Sequence, residues 1–379
     1  TVTHIADRKS RHWLRLARRR NPQAFIIATG CYAQRASQEL APIADLVLGN
    51  EEKEHLLDIV EGLSLRTPRF IVASAAKQSH IPHNARVRSL IKIQDGCHSL
   101  CAYCIVPRVR DCEYSVPALQ KIKEIKDKVA TGYKEVILTG TKIGCYKDDS
   151  TGLENLVERI LCDTDVKRLR LSSLQPQEIS PRFLALWRDE RLCRHFHLAL
   201  QSGNDAMLHR MKRRYSLSDY QRALNLIRGV IPGVAITTDI MVGFPGETDG
   251  EFEQSYLFCQ QAGFANIHVF PFSARPGTAA AEMPNQLDDR VKKERSHRML
   301  ELAQQCWHSF CEQFLGQIMW VLWEKETDSR SGVYSGLTDN YIRVFTRSQK
   351  SLTNKMAPVK LVGFHNQGMW GELVSENSS

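Results

Sequence analysis

The chain has 379 residues, 42% of them hydrophobic and 25% charged, the proportions of an ordinary globular protein with room for about two or three domains. No apolar run approaches the roughly 20 residues that cross a bilayer, and no charged-then-apolar secretory segment opens the chain, so a membrane or secreted protein is not expected and the cytoplasm is. The formal charge of +9 admits a polyanionic partner without identifying one.

Thr1 begins inside a helical pattern and reads as the start of an N-terminally truncated fragment. Seven Lys or Arg residues fall between Arg8 and Arg20, either a solvated helix face or a polyanion contact. The apolar run Ala24-Phe25-Ile26-Ile27-Ala28 predicts a strand leading to Cys31. A helix near Ser37, a strand over 46–48 and an acidic-capped helix from Glu51 complete an α/β domain over residues 1–75. The stretch 75–86, with Ser, His, Pro and Asn, reads as a linker.

Residues 83–314 show a longer, regular alternation. Short apolar runs at 90–93, 136–138, 169–171, 196–200, 234–240 and 267–270 predict six buried strands. Each is separated from the next by a helix-length stretch, as parallel βαβ units require. Six such units make a partial (βα)6 barrel or a doubly wound sheet, with the site in the loops at the strand C-termini. A long amphipathic segment over 288–314 closes the region. From 316 to 379 short alternating runs predict a small all-β domain, barrel-like by size, with aromatics such as Trp320 and Tyr341 filling it.

Eleven cysteines without a secretory signal favour metal ligation in a reducing compartment over a disulfide framework. Cys162, Cys193, Cys259, Cys306 and Cys311 stand alone in helical or strand patterns and are expected as buried small hydrophobes. The run Cys97-His98-Ser99-Leu100-Cys101-Ala102-Tyr103-Cys104 is different. Three thiolates on one loop after the first core strand can hold three irons of a [4Fe–4S] cube, where clusters ordinarily use four cysteines. The open fourth iron suits a chelating small molecule. The amino and carboxylate groups of S-adenosylmethionine fill that role, and one electron then cleaves the sulfonium to methionine and a 5'-deoxyadenosyl radical. The alternative is a Cys3His zinc site with His98, for which four ligands on one short loop make poor tetrahedral geometry.

Gly96 is expected to supply an unusual backbone angle. Tyr103 either packs on the cofactor's adenine or anchors the loop. Thr139-Gly140 ends the second strand, where a small residue lets the backbone meet a ligand's amino group. Gln201 ends the fourth strand and points into the barrel mouth. Gly243-Phe244-Pro245-Gly246 turns at the end of the fifth, before a helix start at Glu247-Thr248. Loop geometry and helix capping are the simpler account of each.

The chain as a whole resembles the methylthiotransferase branch of the radical S-adenosylmethionine superfamily. The likeness is carried by Gly96-Cys97 through Pro107-Arg108, by Leu138-Thr139-Gly140-Thr141-Lys142-Ile143-Gly144 and by Arg170-Leu171-Ser172-Ser173. It extends through His195-Phe196-His197-Leu198-Ala199-Leu200-Gln201-Ser202-Gly203, Met211-Lys212-Arg213-Arg214-Tyr215, Thr238-Asp239 to Glu247-Thr248, and Phe270-Pro271 to Thr278-Ala279. The resemblance implies a catalytic cluster on Cys97, Cys101 and Cys104, with Tyr103, Thr139, Gly140, Ser172 and Gln201 at the cofactor. It also implies a second [4Fe–4S] cluster that handles sulfur. Cys31, in Ala28-Thr29-Gly30-Cys31-Tyr32-Ala33-Gln34, matches the third of its three ligands. Thr1-Val2-Thr3 matches the residues just after the second, so the other two ligands lie upstream.

The C-terminal domain resembles the TRAM module, an RNA-binding barrel, with Arg343, Arg347, Lys350, Lys355 and Lys360 as its phosphate-binding charge. Of the substrates in this branch, Ala6-Asp7-Arg8-Lys9-Ser10-Arg11, Cys193-Arg194-His195-Phe196-His197 and Thr237-Thr238-Asp239-Ile240 look most like the threonylcarbamoyladenosine class. The implied reaction adds a methylthio group to carbon 2 of that adenosine, beside the tRNA anticodon at position 37, with electrons from a donor such as flavodoxin or ferredoxin. Isopentenyladenosine in tRNA and a ribosomal-protein aspartate are the other substrates, and an RNA-binding protein with a structural cluster is the reading from a different class. The chain departs from the family at Asp111-Cys112, Val116 and Gln175.

Overall fold

Good helix formers run unbroken from His4 to Arg20, and Pro22 stops them: the first helix, α1, is His4–Arg20. The computed structural model describes residues 4–64, 87–110, 112–149, 151–328 and 331–374. The linker expected over 75–86, the start of the second region at 83, the Thr1-Val2-Thr3 match and Asp111 lie outside the described residues. After α1 come two short parallel strands, β1 (Ile27–Thr29) and β2 (Leu46–Leu48). The run from Ala24 enters the ladder only at Ile27, because Arg18 takes the Ala24 carbonyl at 2.7 Å and Asp45 takes the Ile26 N–H at 2.7 Å. Ala28, Tyr32, Ala33 and Leu40 form a small core here.

The chain divides into two compact units. One holds the described part of Thr1–His83 with Gly96–Glu113 and Ser273–Glu282; the other holds the remaining core strands, their helices and the C-terminal β domain. In the first unit Asp7, 3% exposed, anchors α1 by accepting from Arg35 at 2.8 Å and from Arg275 at 2.5 Å. A buried carboxylate of this kind is tolerable only because it is paired.

In the second unit the six predicted strands are present, with the third split at Ser172. They are β3 (Arg88–Asp95), β4 (Glu135–Gly140), β5 (Arg168–Leu171) with its continuation β6 (Ser173–Leu174), β7 (His195–Leu198), β8 (Ala235–Val242) and β9 (Asn266–Pro271). Hydrogen bonding gives two parallel sets, β3-β4-β5 and β6-β7-β8-β9, with a short antiparallel strand Tyr114–Ser115 on the outer edge of β3. Alternation sorts the side chains. Ile91, Ile93, Val136, Leu138, Leu169, Leu171, Phe196, Leu198, Ile236 and Ile240 enter one apolar core with the flanking helices α2 (Ala118–Ala130), α3 (Leu153–Asp163), α4 (Leu217–Val230), α5 (Asp249–Ala262) and α6 (Asp289–Glu312). Their neighbours in sequence face the opposite side.

The C-terminal domain is a closed five-stranded barrel. Its strands are β10 (Ile318–Glu326), β11 (Val333–Thr338), β12 (Arg343–Arg347), β13 (Met356–His365) and β14 (Gly368–Leu373), in the order β10-β11-β12-β14-β13. Met319, Val321 and fully buried Trp323 point inward. Trp320, one residue out of phase, is 56% exposed, and Tyr341 is 44% exposed, so neither fills the barrel as expected. Tyr341 instead sits at φ +70° in the turn after β11, stacks on His195 at 4.6 Å and receives the Arg170 guanidinium 4.7 Å above its ring. Around it Arg168 donates to Leu337 O and Trp320 O, Arg194 pairs with Asp339, and Asn340 donates to Gly233 O. The β domain is thereby bolted to the N-terminal ends of the core strands.

None of the eleven cysteines is paired in a disulfide. Cys193, Cys259, Cys306 and Cys311 are buried as expected, but Cys162 is exposed, on the outer side of α3. Among the described residues no helix is long and apolar enough to cross a membrane.

Candidate active site

Residues 96–105 follow β3 as an irregular loop and run into a single helical turn, Val106–Val109. Gly96 has φ +74°, and a Cβ there would lie 1.7 Å from the Cys112 carbonyl oxygen, so only glycine fits. Cys104 N–H donates to Cys101 O at 3.0 Å, and the Ala280 N–H donates to Ala102 O at 2.8 Å, which braces the loop against the segment 273–282 of the same unit. Cys97, Cys101 and Cys104 are half-buried, and the Ser99 N–H lies 3.4 Å from Cys97 Sγ. His98 turns to Glu113, with Nδ1 3.8 Å from the carboxylate. Among the described residues no three His, Cys, Asp or Glu side chains converge as they would round one ion. The His98 ring is turned toward Glu113. The donor set suits a cube, in which each thiolate meets its own iron and one iron stays open.

Cys31 lies in the same unit, at the start of the helix Cys31–Arg35, just after Gly30 at φ +99°. Arg110 Nε donates to Cys31 Sγ at 3.4 Å, and Asn50 fixes that segment through Val109 O at 2.7 Å. Burial pushes the Cys31 thiol up, but the hydrogen bond and charge of Arg110, with a hydrogen bond from Asn50, bring it below its ordinary value. That favours the thiolate, the form that ligates metal. Sequence reasoning did not assign Arg110 a role: it stands in a visible Arg108-Val109-Arg110 run, but a partner 79 residues away leaves no local signal.

In the second unit Thr139, Gly140, Ser172 and Gln201 gather at the C-terminal ends of the strands. A Cβ at Gly140 would lie 2.7 Å from Gln94 O, so the close approach of β3 and β4 requires glycine there. Ser172 N–H donates to Leu138 O at 3.0 Å. Gln201 lies beyond the end of β7 at φ +75°, a strained angle for a non-glycine residue. It is held by its N–H to Asp239 O at 2.8 Å and by the Met241 N–H to its own carbonyl at 2.9 Å. Tyr103 lies on the cysteine loop and is half-buried.

The turn Gly243–Gly246 serves structure. Both glycines have φ +73°, Glu247 folds back to accept from Gly243 N–H at 2.7 Å and from Arg295 at 2.6 Å, and Thr248 caps α5 with Glu251 in a reciprocal box. Gln175 likewise caps the turn Pro176–Glu178.

The face of the strands opposite the core carries further polar groups. His195, His197, Thr237, Asp239 and His268 all lie on it, each flanked in sequence by a core residue. Their signal was the alternation His195-Phe196-His197 itself.

The Radical SAM superfamily model matches residues 91–259. The threonylcarbamoyladenosine tRNA methylthiotransferase MtaB of Bacillus subtilis is 34% identical over 99% of this chain and 87% of that protein. Its namesake from Thermotoga maritima is 35% identical over 90% and 80%. The tRNA-2-methylthio-N(6)-dimethylallyladenosine synthase of Syntrophotalea carbinolica is 31% identical over 94% and 85%.

Proposed function

We propose, for a chain that belongs to the radical S-adenosylmethionine tRNA methylthiotransferases, that it adds a methylthio group to carbon 2 of N6-threonylcarbamoyladenosine at position 37 of tRNA. The observation that carries this reading is the match to the Bacillus protein of that name along 99% of the chain.

Cys97, Cys101 and Cys104 hold three irons of a [4Fe–4S] cluster and leave the fourth to S-adenosylmethionine. When bound, this pair supplies a 5'-deoxyadenosyl radical able to take hydrogen from carbon 2. Thr139, Gly140, Ser172 and Gln201, fixed at the strand ends, orient S-adenosylmethionine, with Tyr103 beside it. Cys31 serves a second cluster, with Arg110 donating a hydrogen bond to its sulfur. The C-terminal barrel acts as a TRAM-like module: Arg347, Lys350, Lys355 and Lys360 are exposed along it, while Arg343 is occupied by Glu324. These charges suit a phosphate backbone. The protein works in the cytoplasm with a low-potential donor such as flavodoxin or ferredoxin. The dimethylallyl substrate is the second reading, favoured by the 31% identical Syntrophotalea protein.

The test is electron paramagnetic resonance of the anaerobically reconstituted protein. Adding S-adenosylmethionine shifts a reduced-cluster signal, and Cys101→Ser abolishes the signal that shifts. A wild-type signal indifferent to S-adenosylmethionine would leave a structural cluster in an RNA-binding protein.

A further inference from the structure

Helix α1 carries a line of cations on its solvent face. Asp7 is its only acidic residue and is buried in the pairs with Arg35 and Arg275. Glu39 and Asp45 reach the helix from outside and are taken by Arg11 at 3.0 Å and by Arg18 at 2.5 Å. Arg8, His12, Arg15 and Arg19 are exposed and make no hydrogen bond or ion pair among the described residues. Their spacing of four, three and four residues puts them on one face of the helix. The line from Arg8 to Arg19 is about 16 Å long. Together with Arg11 and Leu16 these side chains line a shallow groove of about 290 Å³.

Like charges one turn apart repel each other, and a solvated helix face ordinarily intersperses carboxylates among them. Here the carboxylates anchor the helix to its neighbours, and the groove keeps guanidinium groups, which grip phosphate through paired hydrogen bonds. Leu16 is the only apolar side chain lining it, and Trp13 falls outside it. The groove therefore lacks the aromatic anchor on which a protein–protein interface depends. The helix also begins beside the chemistry. His4 Nε2 lies 2.9 Å from Ala274 O, in the segment whose Ala280 N–H braces the cysteine loop at Ala102 O. From there α1 runs about 24 Å to its other end. A nucleotide brought to the cysteine loop brings the phosphates of its neighbours within reach of this line.

We propose that the Arg8, His12, Arg15 and Arg19 face of α1 docks the sugar-phosphate backbone of the tRNA anticodon arm, with several phosphates of one strand lying along it. The inference rests on the reading of the substrate as a tRNA. Contacts to phosphate fix register and orientation without reading sequence, so this face serves the threonylcarbamoyl and dimethylallyl substrates alike. It adds a second cationic surface, at the opposite end of the sequence, to that of the C-terminal barrel.

The test uses the reconstituted holoenzyme and anticodon stem-loop RNA carrying N6-threonylcarbamoyladenosine. The readouts are RNA Kd by fluorescence anisotropy between about 50 and 200 mM salt, Tm, and product by mass spectrometry. Arg8→Gln/Arg15→Gln/Arg19→Gln keeps good helix formers at exposed positions and should melt with the wild type. Losing three phosphate contacts makes the slope of log affinity against log salt shallower by about 2.7, so that rise in salt costs the wild type roughly fortyfold more affinity than the variant. Should the triple variant melt early, each single variant carries the same test with a change in slope of about 0.9. The control Lys123→Gln/Lys126→Gln removes exposed charge from α2 and leaves the slope as it was. A triple variant with the wild-type slope, or a control that lowers the slope as much per charge, would overturn the assignment. An unchanged slope with slower cluster reduction by flavodoxin would overturn it in favour of an acidic protein on this face. RNA binding that depends on the three arginines, without methylthio product, would sustain the docking surface while refuting the proposed activity. Product formation with an unchanged slope would do the reverse.

Discussion

Arg170→Met removes the cation at the junction of core and β domain. Arg170 is 3% exposed, with Nε 2.9 Å from an oxygen of Glu135, itself fully buried, and Nη2 3.3 Å from Thr338 O. The substitution leaves the Glu135 carboxylate sealed from water without its counter-charge and strips Tyr341 of the guanidinium on its ring. Breaking a buried pair from one side costs about 3–5 kcal/mol, whereas replacing both partners with neutral groups is often close to neutral. At about 2–4 °C per kcal/mol for a unit of this size, the single variant should lose roughly 10 °C in Tm. The double variant Arg170→Met/Glu135→Gln should recover most of it. Differential scanning fluorimetry gives the Tm values, and limited proteolysis reports whether the chain is cut between α6 and β10 as the junction loosens. A single variant that loses less than about 1 kcal/mol, or a double variant as unstable as the two singles summed, would refute the reasoning.

Two further outcomes follow from particular contacts. Gly96→Ala meets the Cys112 carbonyl at 1.7 Å and a φ of +74°; the loop must distort, and iron bound per chain after reconstitution should fall well below the wild-type value. Full iron loading would show that the loop does not depend on this angle. His195 titrates below its ordinary value in the fold, chiefly through burial and then through Arg170. Below about pH 6.5 the unfolded chain therefore binds a proton that the native state does not, and stability falls as pH drops, by up to about 1.4 kcal/mol per pH unit. His195→Phe keeps a ring against Tyr341 and should flatten the decline in Tm between pH 7.5 and 5.5, leaving the smaller share of His268, which desolvation and His197 also lower. An unchanged slope would assign that pH dependence to other groups.

Patterns local in sequence were legible, and long-range partnerships were not. The core strands announce themselves because each is a short apolar run between helix-length segments, so β3, β4, β8 and β9 lie within a few residues of where periodicity puts them. The spacing of Cys97, Cys101 and Cys104 is local as well. Alternation also puts His197 and Asp239 on one side of their strands, yet only the register of β7, β8 and β9 shows that they meet each other and His268. Arg170 was read within the motif Arg170-Leu171-Ser172-Ser173, but its environment is completed by Thr338 and Tyr341, some 170 residues on. Tyr341 itself was misplaced because an aromatic beside a strand looks like barrel filling until the turn that holds it at positive φ is seen. Cys162 was misjudged for a related reason: a helical pattern gives the period, but a single cysteine in it does not say which face is buried.

The most direct test of the central claim is nucleoside mass spectrometry. Reconstituted holoenzyme with S-adenosylmethionine, a reductant and tRNA bearing N6-threonylcarbamoyladenosine is expected to give the 2-methylthio derivative of that nucleoside, and Cys97→Ser to give none. Methylthiolation confined to tRNA bearing the dimethylallyl nucleoside, or no methylthio product from either tRNA, would contradict the account.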